Sequence, residues 1–122
     1  VIVAIFRRRL RPGKTFEDFK AAWEAEQGFG VPARVLTAVA LSDPRDVLTI
    51  GFVDLDPADL EAGFAKAAEQ EQARHERIAE VIESTELREF YELRSEHDFS
   101  GAPREVDLDS TASLLANLQE PA

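Results

Sequence analysis

Val1-Ile2-Val3-Ala4-Ile5-Phe6-Arg7-Arg8-Arg9-Leu10-Arg11-Pro12-Gly13-Lys14-Thr15 opens the chain, and its reading through Gln27 decides the fold. An apolar run breaks into three arginines; it is too short for a bilayer span or a signal peptide and reads as a strand over residues 1–9. Pro12 and Gly13 turn the chain. Thr15 is a good helix N-cap, with Asp18 three residues on and Glu17 in the positively polarised first turn. Phe16, Phe19, Ala22 and Trp23 repeat at helical spacing and face a core. Gly28, Gly30 and Pro32 end that helix.

Beyond it the pattern alternates again. Residues 33–41 read as a second strand, residues 42–46 (Ser-Asp-Pro-Arg-Asp) as a short loop, and residues 47–55 as a third strand antiparallel to the second. Asp56-Pro57 is a strong helix start. The helical pattern continues to Glu83, with Leu60, Phe64, Ala67, Ala68, Ile78 and Ile82 on its apolar stripe and Glu71 and His75 interrupting it. A helix over residues 57–83 would span about 40 Å, against about 30 Å for a nine-residue strand. The mismatch predicts a break or bend near Glu69 to Gln72. A last strand is expected over residues 87–94. Residues 1–98 then form one domain, and residues 99–122 a C-terminal extension in which Ser110 caps a short helix carrying Leu114, Leu115 and Leu118.

Strand, helix, strand, strand, helix, strand is the split βαβ order of an α+β ferredoxin-like sandwich with an antiparallel sheet. Right-handed crossovers put both helices on one sheet face. Alternate strand residues point to opposite faces. Val1, Val3 and Ile5 oppose Ile2, Ala4 and Phe6; Val35 and Val39 oppose Leu36, Ala38 and Ala40; Val47 and Val53 oppose Leu48, Ile50 and Phe52. Both faces are apolar, unlike a half-solvated sheet. At roughly 25 cal/mol per Å², an uncovered face of several hundred Å² forgoes on the order of 10 kcal/mol. The expected solution is a homodimer through the sheet faces, a dimeric α/β barrel.

Composition narrows the classes of function. Among 122 residues, 14 basic and 24 acidic side chains leave a net charge of −10, which opposes nucleic-acid backbones and anionic membranes. The absence of cysteine removes disulfides, thiolate nucleophiles and cysteine-ligated metals, and fits a cytoplasmic location. A removed initiator methionine is the simplest account of a chain beginning at Val1. There is no glycine-rich phosphate loop, nucleotide fingerprint or Gly-x-Ser-x-Gly elbow. With two histidines and no third ligand at recognisable spacing, no metal and no cofactor is expected.

The basic end of the first strand, Arg9-Leu10-Arg11-Pro12-Gly13, then Thr15 to Phe19, Trp23 and Gln27, resembles the dimeric α/β-barrel superfamily. Within it the nearest likeness is to EthD-like and antibiotic-biosynthesis-monooxygenase-like proteins. EthD-like sequences carry Phe, an aromatic four residues on, and often His four beyond; Phe19 and Trp23 fit, and Gln27 stands where that His would be. An amide does not titrate, so any acid–base role of that His is missing here. The resemblance implies a cofactor-independent enzyme of monooxygenase, isomerase or cyclase type, acting on an aromatic or polyketide-like compound. The alternative is a non-catalytic dimeric ligand-binding or accessory protein.

Such folds keep a small cavity between helices and sheet. Trp23, Gln27, Thr37, Thr49 and Phe64 are the expected substrate-binding residues, aromatic walls with a few polar groups suiting a small aromatic or apolar ligand. His75, which titrates near neutrality, and Tyr91, a phenolic donor, are the expected catalytic pair. His75 reads equally as a histidine bonded to Glu71 one turn back, and Tyr91 and Trp23 equally as packing residues. Arg7 to Arg9 either bind a carboxylate bidentately or pair with acidic groups on neighbouring strands or a partner subunit.

Overall fold

A computed structural model describes residues 1–24 and 31–116, with the backbone alone for residues 64 and 66–71. Gln27 and Leu118, and the side chain of Phe64, therefore lie outside the described residues. β1 (Ile2–Leu10), α1 (Phe16–Trp23), β2 (Ala33–Ala40), β3 (Asp43–Val53), α2 (Leu60–Val81) and β4 (Ile82–Glu92) follow in that order. The four strands form one antiparallel sheet in the order β2-β3-β1-β4, the ferredoxin-like arrangement. α1 and α2 pack against each other.

β1 leaves the sheet through a tight turn. Lys14 N–H donates to the Arg11 carbonyl at 3.0 Å, and Gly13 takes φ +85°, which a residue with a Cβ rarely adopts. A full capping box follows: Thr15 Oγ1 accepts from Asp18 N–H, and Asp18 Oδ2 accepts from Thr15 N–H at 2.8 Å. The helix then turns Phe19 and Ala22 inward, against Leu10, Val47, Ile78 and Val81. Phe19, Leu10 and Val47 are its fully buried anchors, and Trp23, Val39 and Ile82 pack around them.

Three boundaries differ from the sequence reading. β3 begins at Asp43, so Pro44 lies inside a strand. It is tolerated because the β2–β3 register breaks there: Val39 pairs with Val47 and Ala40 with Asp43, leaving an irregularity that needs no ladder donor. α2 runs unbroken from Leu60 to Val81, with no bend of the kind expected near Glu69. Its 22 residues span about 33 Å, close to the roughly 36 Å of the 11-residue strands β3 and β4. The mismatch vanishes because a 3-10 turn (Pro57–Asp59) precedes the helix and β4 claims Ile82 onward. β4 starts directly after α2, five residues earlier than expected, and register shifts against β1 lie between Arg7 and Arg8 and between Arg9 and Leu10.

The register fixes the faces. Ile2, Ala4, Phe6, Arg8 and Leu10 of β1 look toward the helices, with Val47, Thr49 and Gly51 of β3, Val35, Thr37 and Val39 of β2, and Arg88 and Phe90 of β4. On the helix-free face three rows cross the sheet: Arg34–Phe52–Val3–Tyr91, Leu36–Ile50–Ile5–Glu89 and Ala38–Leu48–Arg7–Leu87. Their central positions are apolar but for Arg7, and their edge positions divide evenly, Arg34, Tyr91 and Glu89 against Leu36, Ala38 and Leu87.

Past β4 the chain forms a hairpin, β5 (Glu96–Asp98) with β6 (Arg104–Val106). Val106 and Ser113 are buried, and the Glu96 carboxylate accepts from Ser113 Oγ at 2.7 Å and from Leu114 N–H at 3.2 Å. In place of the helix expected from Ser110, residues 107–116 make successive turns, with N–H groups of Ser110, Ser113 and Ala116 each donating to the carbonyl three residues back.

Two substitutions test this account by urea denaturation. Leu10→Ala, which empties the centre of the core, is expected to cost about 2–5 kcal/mol. Thr15→Ala, which removes the cap and leaves the core alone, is expected to cost about 1 kcal/mol.

Candidate functional site

The arginines at the end of β1 part company because strand side chains alternate. Arg7 and Arg9 point to the helix-free side and are paired. Arg7 Nη2 donates to Asp46 Oδ2 at 2.7 Å, and Arg9 Nη1 to Asp43 Oδ2 at 2.9 Å. Arg9 also meets Glu83 at 3.4 Å, and Arg45 bridges Glu83 and the Leu10 carbonyl. The pairing holds the Asp46 carboxyl below its ordinary range through its bond to Arg7, and the Asp43 carboxyl below its range chiefly through the Arg45 N–H and then through Arg9. These are largely solvent-screened pairs, and their structural role is to pin the sheet's end.

Arg8 points the other way, between sheet and helices. Its guanidinium carbon lies 4.8 Å from the Phe6 ring centroid. Phe6 meets Phe90 edge to face at 5.8 Å, and Arg88 lies 5.9 Å from the Phe6 ring and 5.8 Å from the Phe90 ring. From the helices, buried Arg74 of α2 stacks over Trp23 of α1 at 4.4 Å. Three cations and three aromatic rings thus share one compartment, with Arg88 exposed at the edge strand. Thr49 pairs with Phe6 across β1–β3 and is 3% exposed. Neither Arg8 Nη1 nor Thr49 Oγ1 has a hydrogen-bond partner among the described residues, although both are buried. A buried donor without a partner is destabilising by about 1–3 kcal/mol.

The electrostatics agree. Burial, and after it the like charges of Arg74 and Arg88, together pull the Arg8 guanidinium down to about 10. Such a drop amounts to something on the order of 3 kcal/mol against the charged form. The penalty is present at every pH below about 10. It fades as the pH climbs from there toward the ordinary guanidinium value. Cation–π contacts with Phe6 offset part of it, by about 0.5–2 kcal/mol.

The sequence-expected residues divide. Trp23, Thr37 and Thr49 all lie on the helix side, Thr37 directly opposite Thr49. Tyr91 does not: it pairs with Val3, faces away from the helices and is 48% exposed. The expectation of Tyr91 in the helix–sheet compartment is thus corrected by strand parity, which puts its neighbour Phe90 there instead. His75 sits on the exposed side of α2, next to inward-facing Arg74. Arg74 and Arg88 were absent from the expected set. The signal for Arg74 was its spacing: it precedes Ile78 by four and Val81 by seven, the helical repeat of the buried residues.

This fold is similar to that of a crystal structure described as "putative Antibiotic biosynthesis monooxygenase from Chloroflexus aurantiacus J-10-fl", with TM-score 0.54 over 80% of this chain and 96% of that chain. At 16% sequence identity the likeness is one of fold alone. No protein-family model and no curated protein sequence matches the chain. Among the described residues, no helix is long and apolar enough to cross a membrane.

Replacing Arg8 by Met keeps the side chain's length and removes the uncompensated charge. We expect Arg8→Met to raise the free energy of unfolding by about 1–3 kcal/mol at neutral pH. Urea denaturation reads the change, and an unchanged or lowered midpoint would show that Arg8 is compensated in the folded protein.

Proposed function

We propose that this chain is a homodimeric small-molecule-binding protein with the monooxygenase-like fold. Its ligand is a planar aromatic or polyketide-like compound held between the helices and the sheet. The observation that carries this reading is the compartment of Phe6, Trp23 and Phe90 with Arg8, Arg74 and Arg88, in which Arg8 Nη1 and Thr49 Oγ1 lack hydrogen-bond partners among the described residues. Aromatic walls with a few convergent polar groups are the usual make-up of a small-ligand site. Such a site stores unsatisfied hydrogen-bonding capacity that a guest satisfies.

The helix-free face supports the dimer. Leu48, Ile50, Phe52, Val3 and Ile5 form its centre, and Leu36, 53% exposed, extends the apolar patch onto edge strand β2. A contiguous exposed apolar patch of this kind marks a protein interface, and a two-fold partner covers it with one surface.

The same cations favour a second reading, catalysis without a cofactor. Fixed guanidiniums stabilise an enolate or phenolate and so lower the barrier of reactions passing through one. The named groups of the compartment bind and polarise; they supply no proton acceptor at neutral pH. Proton transfer by His75 or Tyr91 then requires substrate to reach the outer side of α2 or the opposite sheet face.

Two measurements decide among these readings. Light scattering is expected to give twice the 13.6 kDa chain mass, falling to the single-chain mass for Ile50→Glu; a wild-type monomer at micromolar concentration rejects the dimer. Mass spectrometry of small molecules that copurify with the protein is expected to find an aromatic compound. Once it is in hand, turnover that survives in the wild type and is lost in His75→Ala or Tyr91→Phe selects the enzyme, and unchanged ligand selects the binding protein.

A further inference from the structure

Residues 96–116 are ordered with little burial to order them. Only Val106 and Ser113 among them are buried, while Phe99 is 73% and Leu114 81% exposed. Among the described residues, the hydrogen bonds and ion pairs of this segment close within it: Asp98 holds Ser100 and Arg104, and Glu96 holds Ser113 and Leu114. The His97 and Phe99 rings stack with centroids 6.4 Å apart. An arm that orders its own chain and leaves its large apolar side chains outside suits a surface beyond itself. Its charge is one-sided, with Glu96, Asp98, Glu105, Asp107 and Asp109 against Arg104.

The two edges of the sheet differ. β4 carries four glutamates, and charged side chains are the usual guard of an open edge. β2 carries no acid and no proline. Its one charge is Arg34, exposed on the helix-free face and without an ion-pair partner among the described residues, with Leu36 beside it on that face. Arg34 and Tyr91 end the same row across the sheet, and β4 gives way to the arm just past Tyr91. In a face-to-face dimer, a two-fold axis along the strands lays β4 of one copy over β2 of the other and keeps the strand ends together. An axis across the strands would lay the two glutamate-rich β4 strands over each other, a like-charge contact.

We propose that residues 96–116 are a docking arm for a second copy of this chain. With the two-fold axis along the strands, the arm of each copy lies on edge strand β2 of the other. Its acids face the partner's Arg34, and Phe99 and Leu114 pack toward the partner's Leu36. The contact is used twice, once in each direction, and it selects one of the two ways in which the sheet faces can meet. The proposal rests on the homodimer reading above and adds to it the elements that meet at the rim.

Sedimentation equilibrium on the full chain tests the contact with two charge-reversed variants, Arg34→Glu and the double variant Glu105→Arg/Asp109→Arg; all three residues are exposed. Each variant alone is expected to raise the dimer dissociation constant about ten- to a hundredfold at low salt. Lys20→Glu, on the exposed side of α1, is expected to leave it unchanged. Mixing the two variants restores both contacts: the acidic arm of one meets Arg34 of the other, and the reversed arm meets the reversed β2. Native mass spectrometry of the mixture is therefore expected to show mixed dimers in excess of random pairing. Far-UV circular dichroism on each variant checks that the fold is retained. Weakened variants with no excess of mixed dimers show an effect within each chain and overturn the contact between copies. Unchanged association in both variants overturns the arm, and dissociation by Ile50→Glu in that case leaves the sheet-face dimer standing. Equal weakening by Lys20→Glu shows a diffuse charge effect and overturns the assigned contact. A wild-type monomer at micromolar concentration rejects the arm and the homodimer together.

Discussion

Side chains on a strand must alternate, and in this protein the strand that obeys that constraint most consequentially is β1. It is hydrogen-bonded on both edges, to β3 and to β4, so it cannot rotate or slip without breaking two ladders. Its last residue, Leu10, is fully buried against Phe19 and Val47. Burying Leu10 fixes the phase of everything upstream. Arg8 must then face the helices, and Arg7 and Arg9 must face away. The core thus determines which arginine is paired with acid and which is enclosed with cations and rings.

Placing Arg8 inside is unfavourable for the fold taken alone. A half-buried guanidinium beside two like charges opposes folding, and the aromatic contacts recover only part of the loss. Structures tolerate such arrangements where function demands them. The paired arginines at the same strand end show the contrast. Arg7 and Arg9 meet Asp46 and Asp43 within 3 Å, at the solvent boundary where ion pairs contribute little. Among the described residues, the acids at this end of the sheet that pair with arginines lie on the other side.

The parts of the fold legible in sequence were those governed by local chemistry. The Thr15–Asp18 capping box, the Pro12-Gly13 turn, the alternation of β1 and the order of elements each follow from residues within a few positions of one another. The errors arose where an element boundary depends on tertiary pairing. Ile82 fits a helical stripe as well as a strand, and only the β1 ladder recruits it to β4. Taking Ile82 as helical also shifted the perceived stripe onto Glu71 and His75, whereas the buried face runs through Arg74, Ile78 and Val81. That shift hid Arg74, because a charged residue on a helix is read as solvated unless the phase is right. Arg88 and Phe90 fall within the expected last strand, but which of its two faces meets the helices is set only by its register with β1, where Phe90 pairs with Ala4 and Arg88 with Phe6.

The direct passage from Val81 of α2 into Ile82 of β4, with no intervening loop, has an evolutionary consequence. Most junctions in a small domain absorb insertions and deletions, but this one couples helical phase to strand parity. One extra residue there would turn every side chain of β4 over. Leu87, Glu89 and Tyr91 would then replace Arg88 and Phe90 beneath the helices, while the cap of the following hairpin would shift by a full step. Length variation among descendants of this chain should therefore fall in the turns and the tail, and the joint between residues 81 and 82 should stay seamless.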